Sequence, residues 1–149
     1  MTAGPTVELG GAASWARASL SGVLPKLIFM NGEMGAGKTT FVTKVAEALG
    51  APDAASPSFA LHTRYEGSEG TIDHFDLDRL EDAEDLESTG FWDLIESARA
   101  SGPAHFVMIE WAKRLDEFGA GTRGAPWTRG FDVQNLDFSG SPTWAILRR

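Results

Sequence analysis

The 149 residues fit one domain, expected over positions 1–149, and at 42% apolar, 23% charged and 10% aromatic they suit an ordinary globular core rather than a disordered or fibrous chain. Thirteen basic against 21 acidic side chains give a net charge of -8, which argues against extensive duplex binding through backbone phosphates. The chain has no cysteine for a disulfide, thiolate metal site or nucleophile, no apolar run near the roughly 20 residues of a membrane span, and no basic start or apolar core of a secretory signal in "MTAGPTVELGGAAS", so a cytoplasmic location is expected.

In chain order, Ala12 to Leu20 is expected to be a short helix stopped at Gly22, and Leu27 to Met30 a short buried strand. "KTTFVTKVAEALG" places Phe41, Val45, Ala48 and Leu49 at helical spacing before Gly50 and Pro52. From Ser58 to Tyr65 the pattern alternates, with Phe59, Leu61, Thr63 and Tyr65 on one side. "EGSEG" then turns the chain into "TIDHFDL" to make a hairpin.

The acidic run "DLDRLEDAEDLE", Asp76 to Glu87, is taken mainly as a solvated face and an acidic helix start. Phe91, Leu94, Ile95 and Ala98 mark a helix closed by Gly102 and Pro103, and "HFVMIEW" is a buried strand ending in an acid. Gly119 to Gly130, "GAGTRGAPWTRG", is taken as a loop. "FDVQNLDF", "SGSP" and "TWAILRR" suggest a terminal hairpin. Together these predict an α/β fold in which a mixed sheet has a parallel centre and added antiparallel hairpins.

Between the first strand and the second helix, Gly32-Glu33-Met34-Gly35-Ala36-Gly37-Lys38-Thr39 fits GxxxxGK followed by Ser or Thr. Glycines let successive N–H groups converge on phosphate oxygens, and the helix that follows aims its positive end at them. The expected contacts to a nucleoside triphosphate run through Glu33, Met34, Gly35, Ala36, Gly37, Lys38, Thr39 and Thr40. Lys38 would reach the β- and γ-phosphates, and the Thr39 hydroxyl would bind Mg²⁺. A match by accident in a chain with 17 glycines is on the order of one in a hundred, and the strand-then-helix context lowers it further.

Glu110, closing "FVMIE", is the second candidate, for Mg²⁺ or for orienting the attacking water. Its bland reading is a strand meeting solvent, and Trp111 beside it reads as core or as a lid. Asp76 is the third candidate. Alternation puts it on one polar face with His74, where the pair could organise a water or the metal's outer shell. Alternatively Asp76 only begins the acidic run.

In order, "GEMGAGKTTF", "SPSF", "HFDLDRLED" and "MIEW" resemble the TsaE family, also called YjeE-like P-loop ATPases, over about Gly32 to Arg114. The resemblance implies a P-loop NTPase-like three-layer sandwich. It also implies a Mg²⁺-dependent ATPase needed for the threonylcarbamoyl modification of adenosine in tRNA, acting with TsaB and TsaD. Carried over, Lys38 and the loop amides hold ATP, Thr39 and Glu110 hold Mg²⁺, Asp76 helps hydrolysis, and Ser56 to Phe59 form a switch-like loop. The chain departs from the family pattern at Ala55, at Ser58, at Asp78 and in the N-terminal segment, where Thr6 is the candidate to approach the nucleotide. The isolated chain is taken as a monomer that meets tRNA only locally or through a partner, away from membranes.

Two other readings remain open. A small-molecule kinase would share the P-loop but needs an arginine-bearing lid, for which only Arg123 and Arg129 could serve. A nucleotide-gated binding module would need the ATP state without hydrolysis. A GTPase is disfavoured because no NKxD motif is present.

Overall fold

A computed structural model describes residues 6–8, 11–32, 37–52, 61–138 and 144–148, with the backbone alone for 6–8 and 144–148. The elements in order are β1 (Thr6–Glu8), α1 (Ala12–Ser19), β2 (Lys26–Asn31), α2 (Lys38–Ala48), β3 (His62–Glu66), β4 (Thr71–Asp76), α3 (Ala83–Ser88), α4 (Phe91–Arg99), β5 (His105–Glu110), α5 (Lys113–Glu117), a 3₁₀ turn (Pro126–Thr128), β6 (Asp132–Phe138) and β7 (Trp144–Arg148).

They form one sheet in the order β1-β7-β6-β2-β5-β4-β3. β6, β2, β5 and β4 run parallel, while β3 on β4, β7 on β6 and β1 on β7 are antiparallel. This is the expected mixed sheet with a parallel centre, and the terminal hairpin pairs as read, with Leu136 opposite Leu147.

Alternation along the central strands feeds two cores. Ile28, Met30, Phe106 and Met108 point to one face and pack on Trp15, Phe41, Val42 and Val45 of α1 and α2. Leu27, Phe29, Phe75, Val107 and Ile109 point to the other and pack on Leu86, Phe91, Ile95 and Leu115 of α3, α4 and α5. A sheet covered on both faces needs apolar residues at successive positions, which is why "LIFM" and "FVMI" read as unbroken runs. Each fully buried aromatic or branched side chain contributes about 1.5–3 kcal/mol.

The structure corrects several expectations. β1 pairs over only three residues, too short a pattern to read in advance. The strand expected from Ser58 begins at His62, and residues 53–60 lie outside the described set. Leu61 precedes the strand and packs against the second core while Tyr65 belongs to the first, so the expected shared side fails at the bend before β3.

Gly119 to Gly130 is anchored by Trp127. The indole N–H donates to the carbonyls of Ala120 (3.2 Å) and Gly121 (3.1 Å), and the ring meets Phe29, Phe91 and Trp92 edge-on at 5.3–5.9 Å. Turn residues mark this stretch as irregular, but one large apolar side chain suffices to tie it to the core.

The acidic run does start a helix. Asp82 caps α3 by accepting from the Asp85 N–H at 2.8 Å, and Asp85 accepts from the Glu81 N–H.

Candidate functional site

β2, β4 and β5 end together, and the register sets Met30 beside Glu110 and Asp76 beside Glu110. In an open α/β sheet this carboxyl end of the parallel strands is where ligands are held. The chain leaves β2 through Gly32, whose φ of +146° and close approach to β6 leave no room for a side chain: a Cβ would stand 2.9 Å from both the Cβ and the carbonyl oxygen of Phe138.

It enters α2 through Gly37, in the left-handed region at φ 97°. Among the described residues no side chain caps that helix, which leaves its first-turn amides available to an anion. Of the expected contacts, Glu33, Met34, Gly35 and Ala36 lie outside the described residues, as do Ala55 and Ser56 to Phe59. Thr6 lies on β1, whose side chains are likewise outside them.

Lys38 and Thr39 open α2 and turn toward the end of β5. The Thr39 hydroxyl donates to Glu110 Oε2 at 2.9 Å. The same oxygen lies 2.6 Å from His74 Nε2, which donates to it when the carboxylate is ionised. His74 and Glu110 are both buried, so the imidazole fixes the carboxylate where the threonine meets it.

Lys38 is buried too. Its ammonium donates to the Gly32 carbonyl and lies 4.2 Å from the centre of the Trp111 ring. Burial pushes the Lys38 ammonium below the ordinary lysine range, against the pull of Glu110, Asp76 and Asp78.

Asp76, half-buried beside this group, accepts from the Asp78 N–H at 3.1 Å. Burial pushes its carboxyl above the usual range, and neighbouring Glu110 adds to the shift, while the Asp78 N–H and His74 act against it. Thr40 is exposed on the outer side of the helix, and its carbonyl accepts from the Thr43 hydroxyl.

The donor set fits Mg²⁺. Adjacent ligands of an octahedral Mg²⁺ at 2.0–2.1 Å stand about 2.9–3.0 Å apart, and the hydroxyl of Thr39 and the Glu110 carboxylate are separated by 2.9 Å. Among the described residues no three His, Cys, Asp or Glu side chains gather into a cation cage. A Mg²⁺ held by Thr39 and Glu110 would complete its shell with phosphate and water.

Trp111, expected as core or as a lid, lies against Lys38, and two neighbours, Asn31 and Lys113, carried no sequence signal. Trp111 is in the left-handed region at φ 58°, alone among the described residues other than glycine, and this turn brings its ring against Lys38. Asn31 and Lys113 line a cleft of about 200 Å³ with Gly32 and Trp111. No motif marks either of them: Asn31 ends β2 directly before Gly32, and the turn at Trp111 brings Lys113 beside that pair.

Residues 7–129 match the family model described as threonylcarbamoyl adenosine biosynthesis protein TsaE. The tRNA threonylcarbamoyladenosine biosynthesis protein TsaE of Haemophilus influenzae is 33% identical over 89 residues, covering 59% of this chain and 52% of the relative. That of Aquifex aeolicus is 43% identical over 68 residues, covering 44% and 51%. The matched stretch thus spans about half the length of these curated relatives. The crystal structure of a Bacillus YdiB superposes with a TM-score of 0.50 at 16% identity, covering 99% of this chain and 86% of that one, which supports the fold. Among the described residues no helix is long and apolar enough to cross a membrane. With its family model matched across most of its length, the chain belongs to the TsaE family of threonylcarbamoyl adenosine biosynthesis proteins.

Proposed function

We propose that this chain is a single-domain, cytoplasmic, Mg²⁺-dependent ATPase that supports N6-threonylcarbamoyladenosine modification of tRNA by acting on a complex of TsaB- and TsaD-type proteins. The observation that carries the reading is the Thr39–Glu110 contact at the mouth of the P-loop, with His74 behind the carboxylate. Isolated, the chain acts as a monomer, and tRNA is met locally or through the partners.

In this reading the loop amides and Lys38 hold the phosphates of ATP, and Thr39 and Glu110 hold Mg²⁺. The metal would draw charge off the phosphate oxygens. Asp76, its carboxyl lifted by burial and by Glu110, lies at the strand ends where it can accept a hydrogen bond from the attacking water.

A guanidinium reaching the transferred phosphate can contribute about 10³ to 10⁵ in rate. Arg114 is engaged by Glu117 at 3.0 Å and stacked on Phe118. Arg79, which like Arg114 is a possible source of such a group within the chain, lies exposed in the acidic run. Slow turnover by the isolated chain, accelerated by its partners, follows. Turnover measured alone and with TsaB and TsaD tests this, and equal rates would contradict it.

The kinase alternative is weakened because Trp127 ties the segment carrying Arg123 and Arg129 to the core face formed by Phe29 and Phe91. The gated-module alternative separates from the ATPase in a Glu110→Ala variant. Retained nucleotide binding and tRNA modification without hydrolysis would favour the module.

A further inference from the structure

The cleft beside the P-loop has a composition that the site so far described does not use. It is lined by Asn31, Gly32, Trp111 and Lys113 and encloses about 200 Å³. Gly32 opens the phosphate loop, and its carbonyl holds Lys38. The cleft therefore adjoins the end of the loop that Lys38 occupies.

Among the described residues two of its groups lack partners. Asn31 Oδ1 is a buried acceptor without a hydrogen bond there, and a buried acceptor left unpaired is destabilising unless something fills its place. Lys113 is exposed at the first position of α5 and, among the described residues, makes no ion pair. The left-handed turn at Trp111 brings Lys113 to this cleft: an extended residue there would carry the chain onward from β5 instead of back beside Gly32.

Charge makes the vacancy of partners meaningful. The carboxylates of Glu110, Asp76 and Asp78 all act on Lys38, the single buried cation of the group. A triphosphate added here brings more negative charge than one ammonium and one divalent cation offset, so a further cation is needed where that charge ends. Asn31 Oδ1 cannot itself face a phosphate oxygen, because both are acceptors. An ammonium between them satisfies both, since lysine carries three donors.

We propose that Lys113 is a phosphate-contacting residue that donates to the terminal phosphate of the bound triphosphate, with Asn31 Oδ1 as the acceptor that positions its ammonium. The assignment rests on the nucleotide reading above and adds to it a cation supplied by this chain itself. Lys113 thereby becomes the group that distinguishes a triphosphate from a diphosphate.

The test is binding of ADP and of a non-hydrolysable ATP analogue, each with Mg²⁺, to the full chain and to Lys113→Ala, Asn31→Ala and the double variant. Lys113→Ala is expected to weaken the analogue roughly three- to tenfold and to leave ADP within about twofold. Asn31→Ala is expected to act in the same direction, and the double variant to lose little more than Lys113→Ala alone, because the amide acts through the ammonium. Equal weakening of both nucleotides, or none, overturns the assignment while the nucleotide reading stands. A wild-type chain that binds neither nucleotide removes both.

Discussion

Glu110 and Asp73 are both buried acids touched by histidine, and they lie on opposite faces of neighbouring strands, yet their surroundings differ in what they leave free. Asp73 is fully enclosed. His62 (2.7 Å) and Arg64 Nε (2.9 Å) donate to its Oδ1, and His105 (2.6 Å) and Arg64 Nη2 (2.9 Å) donate to its Oδ2. Those donors hold its carboxyl well below the usual range although burial pushes the other way. The cluster ties edge strand β3 to β4 and β5, with His62 also stacked on Phe75 at 4.6 Å. Glu110, by contrast, takes its donors from a helix start and from β4 on a single oxygen, beside uncapped amides and a retracted lysine. A carboxylate with every lone pair answered by the protein stabilises the fold; one whose donors include a hydroxyl that suits Mg²⁺ would, in the proposed function, exchange that donor for the metal.

The comparison breaks most visibly at Asp73. Asp73→Ala strands a guanidinium and two imidazoles, and a loss of about 3 kcal/mol or more in urea denaturation is expected, with nucleotide affinity of the folded fraction unchanged. The pH dependence follows from the same group. Its folded pKa lies below the unfolded value of about 3.9, so its contribution is present above that value and is lost as pH falls through and below it. Denaturation midpoints should therefore drop steeply below about pH 4 in the wild type and less steeply in Asp73→Asn.

A smaller effect of opposite sign belongs to Asp76. Burial raises its folded pKa, so ionisation costs stability once pH exceeds the unfolded value. Asp76→Asn should gain a little stability near pH 7, read in the same denaturation experiment, while slowing hydrolysis. A stability loss would place Asp76 with the structural acids instead.

The two clusters were not equally legible. Gly37, Lys38 and Thr39 belong to one contiguous motif, and Glu110 closes an apolar run that had to be a strand, so their adjacency needed only β2 and β5 to pair. The partners of Asp73 come from β3 and from the start of β5, and nothing in "HTRYE" or "HFVMIE" states the register that brings His62, Arg64 and His105 onto one carboxylate. Lys26 shows the same limit. A lysine near the start of "PKLIFM" reads as a strand flank, yet it is buried, and its ammonium reaches the Leu24 carbonyl at 2.6 Å. Lys113 and Asn31 were illegible for a local reason: the turn that joins them is a backbone conformation at a tryptophan, which no residue pattern announces.

The central claim is that the carboxyl end of β2, β4 and β5 holds a Mg·triphosphate on α2 and Glu110. Calorimetric titration of ATP into the wild type and Lys38→Ala, with and without Mg²⁺, tests it most directly. The account predicts Mg²⁺-dependent binding in the wild type and a loss of about a hundredfold or more, roughly 2.7 kcal/mol, in Lys38→Ala, with both proteins equally folded. Binding that is indifferent to Mg²⁺ and to Lys38 would contradict it.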